Sequence, residues 1–362
     1  MSERLVAIYV ETPYQLITSL NIAINYLHAD GCILFLMEQY YLTERKFQIS
    51  SKHPFIRGIF YIQDYEEVGA FKHHLLRLKG IIKGYPSKDF PNMCCYYKTR
   101  PKRMPNFSAL ICNKYEVKLA DQYLTILRRN ADVYVIEDGT VDYVGPIYKV
   151  KSDYHRIYYW PELFRENFNK IAIKAPTISM KDIKLRKLIE DVFRIDESEK
   201  AKIQACRCIF FHQPSDVIGE DPKFSERQNA ESKIINLLYS KFGDGFFVKL
   251  HPRDELNIFP KYKKIISDIP WEALMWNIKD ISNLLIVGLD STALITPKNT
   301  FDLEPYVVTT TSLFQYWKDD IPTESVDRTI RMFEYLSSNY RDSEKVIIPK
   351  SMDELIESLD KM

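Results

Sequence analysis

The sequence predicts an α/β protein made of two doubly wound halves, and three stretches carry that prediction. Leu5-Val6-Ala7-Ile8-Tyr9-Val10 is a β-rich run that passes through Glu11-Thr12-Pro13-Tyr14-Gln15 into a helical pattern at Leu16, Leu20 and Ile24. Phe246 to Leu250 is a short apolar run with Gly243 and Gly245 before it and His251-Pro252 after it, which fits a buried parallel strand. Leu284-Leu285-Ile286-Val287-Gly288 is wholly apolar and stops at Leu289-Asp290-Ser291-Thr292. Open sheets of this kind hold ligands outside the carboxyl ends of their strands. A chain of 362 residues exceeds what one core usually supports, so two domains are expected. The expected boundaries are 1–180, a linker at 181–205 and 206–362, because Lys181 to Lys200 is charged, helical in pattern and poor in apolar residues.

Composition narrows the classes. With 46% hydrophobic and 27% charged residues the chain is globular. Lys plus Arg is 50 and Asp plus Glu is 49, so no global field favours nucleic acid. Cys32, Cys94, Cys95, Cys112, Cys206 and Cys208 lack C-x-x-C spacing. Cys94-Cys95 and Cys206-x-Cys208 suit disulfides poorly, so reduced packing thiols and a reducing compartment are expected. The first apolar run is only about six residues and no segment reaches the roughly 18 apolar residues of a membrane span. A cytoplasmic protein is expected, with any membrane association peripheral at the inner membrane and a homodimer as one allowed assembly.

Along the chain, Thr12 reads as an N-cap with Pro13 at the first helical position. The loop has no glycines and so is not a dinucleotide fingerprint. Gly31 to Leu36 and Ile56 to Ile62 are the next strands, and His53-Pro54 reads as a turn. Residues 66–104 carry Lys72, His73, His74, Arg77, Lys79, Lys83, Lys88, Lys98, Arg100, Lys102 and Arg103 with few acids. They form either a solvated face or a contact for an anionic membrane or acidic glycan, where each cation contributes about 1 kcal/mol. Asn106 to Asn113 is another strand, followed by a helix from Glu116 to Arg129. Asp132 to Ile136 runs into Glu137-Asp138-Gly139. Strand alternation points the two carboxylates opposite ways unless Gly139 turns the backbone. Tyr143 to Pro176 is aromatic and irregular and marks the approach to the domain boundary. Cys208 to Phe211 opens the second half and leads to His212-Gln213-Pro214-Ser215-Asp216, and a helix from Glu226 to Phe242 follows with Ile234, Ile235, Leu237 and Leu238 inward. Pro260 to Ile269 reads as helical, and Trp271 opens a short helix. Tyr306 to Val308 and Val346 to Ile348 are the last strands, and Ser351 to Glu354 has capping-box spacing.

Polar residues thus collect at strand ends in both halves: Thr12 to Gln15 and Glu137 to Gly139 in the first, Gln213 to Asp216, His251-Pro252 and Asp290 to Thr292 in the second. Sheets converging this way build an interdomain cleft suited to a nucleotide-sugar. Group transfer to a hydroxyl needs a base and a partner for the departing phosphate. A carboxylate and His251 supply that pair. No Asp-x-Asp is present, which favours a reaction without metal or other cofactor, with His251, Lys249 and the Ser291-Thr292 amides carrying the phosphate charge.

In order, Glu137-Asp138-Gly139, His251-Pro252 and Ser291-Thr292 resemble the acidic-acidic-Gly, His-Pro and Ser/Thr-pair motifs of bacterial sialyltransferases. Glu11-Thr12-Pro13-Tyr14-Gln15-Leu16 resembles the opening of glycosyltransferase family 52, which includes lipooligosaccharide and capsular sialyltransferases. The resemblance implies a GT-B architecture, two Rossmann-like domains facing across a cleft, with the acceptor on the N-terminal side and the nucleotide-sugar on the C-terminal side. It implies inverting, metal-independent transfer of sialic acid from CMP-sialic acid to a terminal galactose of a glycan or glycolipid. By position, His251 would protonate or hydrogen-bond the CMP phosphate, Ser291 and Thr292 would bind it, Lys249 and Pro252 would flank it, and Tyr14 and Gln15 would meet the acceptor. The resemblance implies that the base would be Glu137 or Asp138, or else a carboxylate upstream of His251, with Asp216, Glu220 and Asp221 as candidates. Two alternatives are a CMP- or CDP-donor transferase of capsule or glycerophosphate polymer synthesis, and an inactive GT-B protein that binds glycans or scaffolds an assembly.

Overall fold

A computed structural model describes residues 3–37, 49–50, 52–62, 93–96, 105–113, 131–144, 154–163, 172–213, 224–251, 259–265, 269–313 and 323–362. The chain divides into two compact units, Met1–Asp138 with Ile147–Arg194, and Gly139–Pro146 with Ile195–Met362. The last of the three crossings between them, at Arg194, lies within residues 181–205.

The first unit holds β1 (Leu5–Val10), β2 (Gly31–Met37), β3 (Ile56–Ile62), β4 (Met93–Tyr96), β5 (Ala109–Cys112), β6 (Asp132–Ile136), β7 (His155–Tyr158) and β8 (Ala172–Lys174), ordered β4-β3-β2-β1-β5-β6-β7-β8. Only β4 runs antiparallel, against β3. β1 lies at the centre, paired on one side with β2 (Leu5 opposite Gly31) and on the other with β5 (Val6 opposite Ala109). Val6 to Val10 are fully buried, as a strand covered on both faces requires. The sheet order turns back at β1, so the carboxyl ends of β1 and β5 form its switch point.

Helix α1 (Pro13–Asn21) starts with a capping box: Thr12 Oγ1 accepts from the Gln15 amide at 3.3 Å and Gln15 Oε1 accepts from the Thr12 amide at 3.1 Å. The short α2 (Thr140–Val144) follows β6 but belongs to the second unit. Helix α3 (Ile183–Phe193) buries Leu185, Leu188, Ile189, Val192 and Phe193, a helical stripe that its many charges conceal in the sequence. It packs on α1.

Two expectations are corrected in this unit. The aromatic stretch expected to be irregular contains β7 and β8, and Tyr154, Tyr158, Tyr159 and Trp160 are core residues. Strands of four and three residues are too short to show alternation. β4 was not expected either. The helix expected at 116–129 and all the basic side chains named between 72 and 103 lie outside the described residues.

The second unit holds β9 (Cys208–Phe211), β10 (Phe246–Lys249), β11 (Lys264–Ile265), β12 (Leu285–Gly288), β13 (Tyr306–Thr309) and β14 (Val346–Ile347) in one parallel sheet. Its order, β11-β10-β9-β12-β13-β14, is 3-2-1-4-5-6 counted from β9, the doubly wound arrangement whose switch point lies between its first and fourth strands. Helices α4 (Glu197–Ile203), α5 (Phe224–Phe242), α6 (Trp271–Leu274), α7 (Thr292–Phe301), α8 (Thr323–Asn339) and α9 (Met352–Asp360) accompany it. Phe210, Ile234, Leu238, Val248, Val287, Val308, Leu355 and Leu359 meet in one core. The stretch expected to be helical before Ile269 contains β11 instead, drawn into the sheet by pairing with β10. The α2 segment packs on α8. Cys32, Cys112, Cys206 and Cys208 are free and buried. Among the described residues no helix is long and apolar enough to cross a membrane.

Candidate active site

In the first unit, the ends of β1 and β6 carry the predicted polar residues. β6 stops at Ile136, so Glu137 and Asp138 lie just beyond it, and Gly139 turns the chain with φ of 70°. Strand alternation therefore does not govern them, and both side chains reach the first turn of α1. Glu137 is fully buried. Tyr14 Oη donates to its Oε1 at 2.6 Å and the Tyr159 amide donates to its Oε2 at 2.8 Å. Asp138 is partly exposed, and its Oδ1 accepts from Gln15 Nε2. Because Gln15 Oε1 is occupied by the Glu11 and Thr12 amides, capping orients the Gln15 NH2 toward Asp138. Tyr14 and Gln15, expected to meet the acceptor, here hold the acidic pair.

Tyr159 and Asn113 have no place in the motif pattern. The Tyr159 hydroxyl accepts from Asn21 Nδ2 at 3.3 Å, and the same amide donates to the Pro176 carbonyl at 2.6 Å, fixing the loop whose amide serves Glu137. Asn113 ends β5, between β1 and β6. It is 1% exposed, and its Oδ1 has no hydrogen-bond partner. A polar residue at the end of an apolar strand is the only sequence signal for it.

In the second unit, β9 lies between β10 and β12, so three strand ends lie side by side. His251 is half-buried two residues past β10. Lys249 Nζ approaches the Ile269 carbonyl at 3.4 Å. Its charge also acts on Glu272, whose carboxyl burial pushes up; a backbone hydrogen bond, Lys249 and Thr296 oppose that shift. Ser291 caps α7, its Oγ accepting from the Ala293 amide at 3.3 Å. Pro252, Asp216, Glu220 and Asp221 lie outside the described residues.

Two supporting groups have no motif. His212, at the end of β9, is buried; its amide donates to the Lys249 carbonyl at 3.0 Å and its Nε2 lies 3.5 Å from Glu231 Oε2. Its signal was the same apolar-run-then-histidine pattern that marks His251. Thr309 to Thr311 clamp the end of β12. Thr309 and Thr311 hydroxyls donate to the Leu289 carbonyl at 2.6 and 2.8 Å, and the Thr310 amide donates to Gly288 at 2.8 Å. That clamp sets where Asp290 and Ser291 begin.

Thr292 Oγ1 accepts from the Thr140 amide at 3.1 Å and lies 3.2 Å from Thr140 Oγ1. Among the described residues, no three or more His, Cys, Asp or Glu side chains gather into a metal site. Chemically, the first unit carries a partly exposed carboxylate past β6, and the second carries a half-buried histidine past β10 and, two strands over past β12, a helix start whose amides suit an anion.

Two parallel α/β units, the second in 3-2-1-4-5-6 order, define the GT-B fold. A sialyltransferase domain from Photobacterium damselae, residues 113–497 corresponding to its GT-B domain, is similar at TM-score 0.50 and 11% identity, over 95% of this chain and 99% of that one. A longer form of the Photobacterium enzyme matches at TM-score 0.48 and 12% identity over 96% and 81% of the two chains. Acinetobacter baumannii MurG matches at 0.41 and 11% over 100% of both. At these identities the likeness shows the fold alone. No protein-family model matches the chain, and no curated protein matches it.

Proposed function

We propose that this chain is an inverting, metal-independent sialyltransferase that moves sialic acid from CMP-sialic acid to a terminal galactose of lipooligosaccharide or capsule. The observation that carries this reading is the division within the acidic pair. Glu137 is buried with both oxygens engaged, which makes it a support. Asp138 is partly exposed at the carboxyl end of the sheet, which makes it the base. The galactose hydroxyl oxygen attacks C2 of sialic acid as Asp138 takes its proton. The bond from that carbon to the CMP phosphate oxygen breaks on the opposite face, and its electron pair leaves with the phosphate. His251 donates to that phosphate, with Ser291 and the amides at the start of α7 holding its charge. A single displacement inverts the anomeric centre. The basic residues between 72 and 103 would hold the enzyme at an anionic membrane face where a glycolipid acceptor is presented.

The test is incubation with CMP-sialic acid and lactose in EDTA. Equal amounts of CMP and sialyllactose are expected. Turnover only of CDP-glycerol would replace the reading with a glycerophosphate transferase. No turnover of any nucleotide donor would leave a glycan-binding protein.

A further inference from the structure

The hydroxyl of Thr292 stands at the start of α7, where a donor phosphate is expected, but its hydrogen bonds run to the segment that follows Asp138. We infer that Thr292 is a positioning residue for the acidic loop and leaves the donor phosphate to Ser291 and the helix amides. This inference rests on the reading of Asp138 as the base.

The chain leaves the first unit at Asp138, and Gly139–Pro146 folds with the second. Its first residue, Gly139, has φ of 70°, a conformation that disfavours any side chain. A Cβ there would overlap the Thr292 side chain, with Cγ2 at 2.5 Å. Thr140 is buried, and its amide and hydroxyl both face Thr292 Oγ1, at 3.1 and 3.2 Å. The turn closes with the Asp142 amide on the Gly139 carbonyl at 3.2 Å, and α2 then packs on α8. Thr292 itself is fixed, since its carbonyl accepts from Thr296 Oγ1 at 2.8 Å.

A threonine hydroxyl has one proton and two lone pairs. The Thr140 amide takes one lone pair and the hydroxyl–hydroxyl contact takes a further bonding position. The Gly139–Thr140 peptide, one further on from Asp138, is therefore held at its N–H by an anchored side chain. Losing that hold releases Gly139-Thr140, and the carboxylate one residue earlier shifts with them. A misplacement of about 1 Å at a reacting group costs up to about 10²-fold in rate.

Thr292→Val keeps the shape and removes the hydroxyl, Thr292→Ser keeps the hydroxyl, and Ser291→Ala serves as the phosphate-side control. Each is measured for CMP affinity by calorimetry, for kcat with CMP-sialic acid and lactose, and for amide hydrogen exchange over 139–144. For Thr292→Val we expect CMP affinity within about twofold of wild type, kcat down at least about tenfold and faster exchange at Thr140. Thr292→Ser should restore kcat and slow exchange, and Ser291→Ala should weaken CMP binding with exchange unchanged. Thr292→Val that weakens CMP as much as Ser291→Ala, or that leaves the Thr140 amide protected, overturns the assignment. If the wild type neither binds CMP nor turns over, the functional reading fails by itself, and hydrogen exchange still decides whether Thr292 holds this segment.

Discussion

Replacing Glu137 and replacing Asp138 should damage different things. Glu137 is fully buried and accepts from the Tyr14 hydroxyl and the Tyr159 amide. Glu137→Ala strands both donors, each at about 1–3 kcal/mol, so roughly 4 kcal/mol in all. For a unit of this size, about 2–4 °C of melting temperature accompanies each kcal/mol, which gives a fall of about 8–16 °C. Glu137→Gln can meet both groups again, its amide oxygen facing Tyr159 N–H and its NH2 donating to Tyr14 Oη. It should cost about 1 kcal/mol, or roughly 2–4 °C. Asp138→Asn keeps the oxygen that Gln15 Nε2 meets and so should melt within about 2 °C of wild type. Without the base, its kcat should fall by about 10²–10⁴. Calorimetry and initial rates on the three variants suffice. Wild-type turnover in Asp138→Asn, or a kcat loss in Glu137→Gln as large as in Asp138→Asn at unchanged melting temperature, would falsify the division of roles.

His251→Ala should lower kcat by about 10² with little change in melting temperature, because His251 is only half-buried; unchanged turnover removes it from the mechanism. Burial holds the Glu272 carboxyl above its ordinary 4.5, so its stabilising contribution is complete below the unfolded value and is lost as pH rises through the folded one. Denaturant titrations should therefore find Glu272→Gln gaining stability relative to wild type as pH rises above the ordinary carboxyl value of 4.5, and a pH-independent difference refutes this. Burial pushes the thiols of Cys112 and Cys206 up to about 12, and raises Cys32 and Cys208 as well. At about pH 8 a thiol of that kind is ionised only to about one part in 10⁴, so mass-mapped alkylation of the native protein should spare all four. Rapid native labelling of any one contradicts their burial.

The strands that show in the sequence are those whose burial is continuous. β1, β2, β9, β10 and β12 read as unbroken apolar runs because both faces of a parallel sheet are covered. β8 and β11 have three and two residues, too few for any period, and only pairing defines them. Charge concealed the buried faces of two helices. α3 buries Leu185, Leu188, Ile189, Val192 and Phe193, yet its charged background reads as a linker. In α8, Val326, Thr329, Met332, Phe333 and Leu336 are buried at helical spacing among Glu324, Asp327, Arg328, Arg331 and Glu334, and the stripe is easily passed over.

For the site, motif order pointed to particular strand ends but could not separate the residues at them. Glu137 and Asp138 are adjacent and chemically alike. They are separated by Tyr159, 22 residues away, and Tyr14, 123 residues away, and no local pattern encodes either contact. The same physics explains why Tyr14, Gln15 and Thr292, expected as ligand contacts, also bond within the protein. A polar side chain at the end of a buried strand must itself be satisfied once folding removes its water. Such positions therefore serve chain-to-chain contacts first, and polarity at a strand end overcounts groups available to a substrate. Burial then sorts them. Tyr14, Gln15 and Glu137 are buried and bonded to one another's loops, while Asp138, His251 and Ser291 keep partial exposure. Under the proposed mechanism the chemistry would fall to that second set, and the first set would fix its geometry.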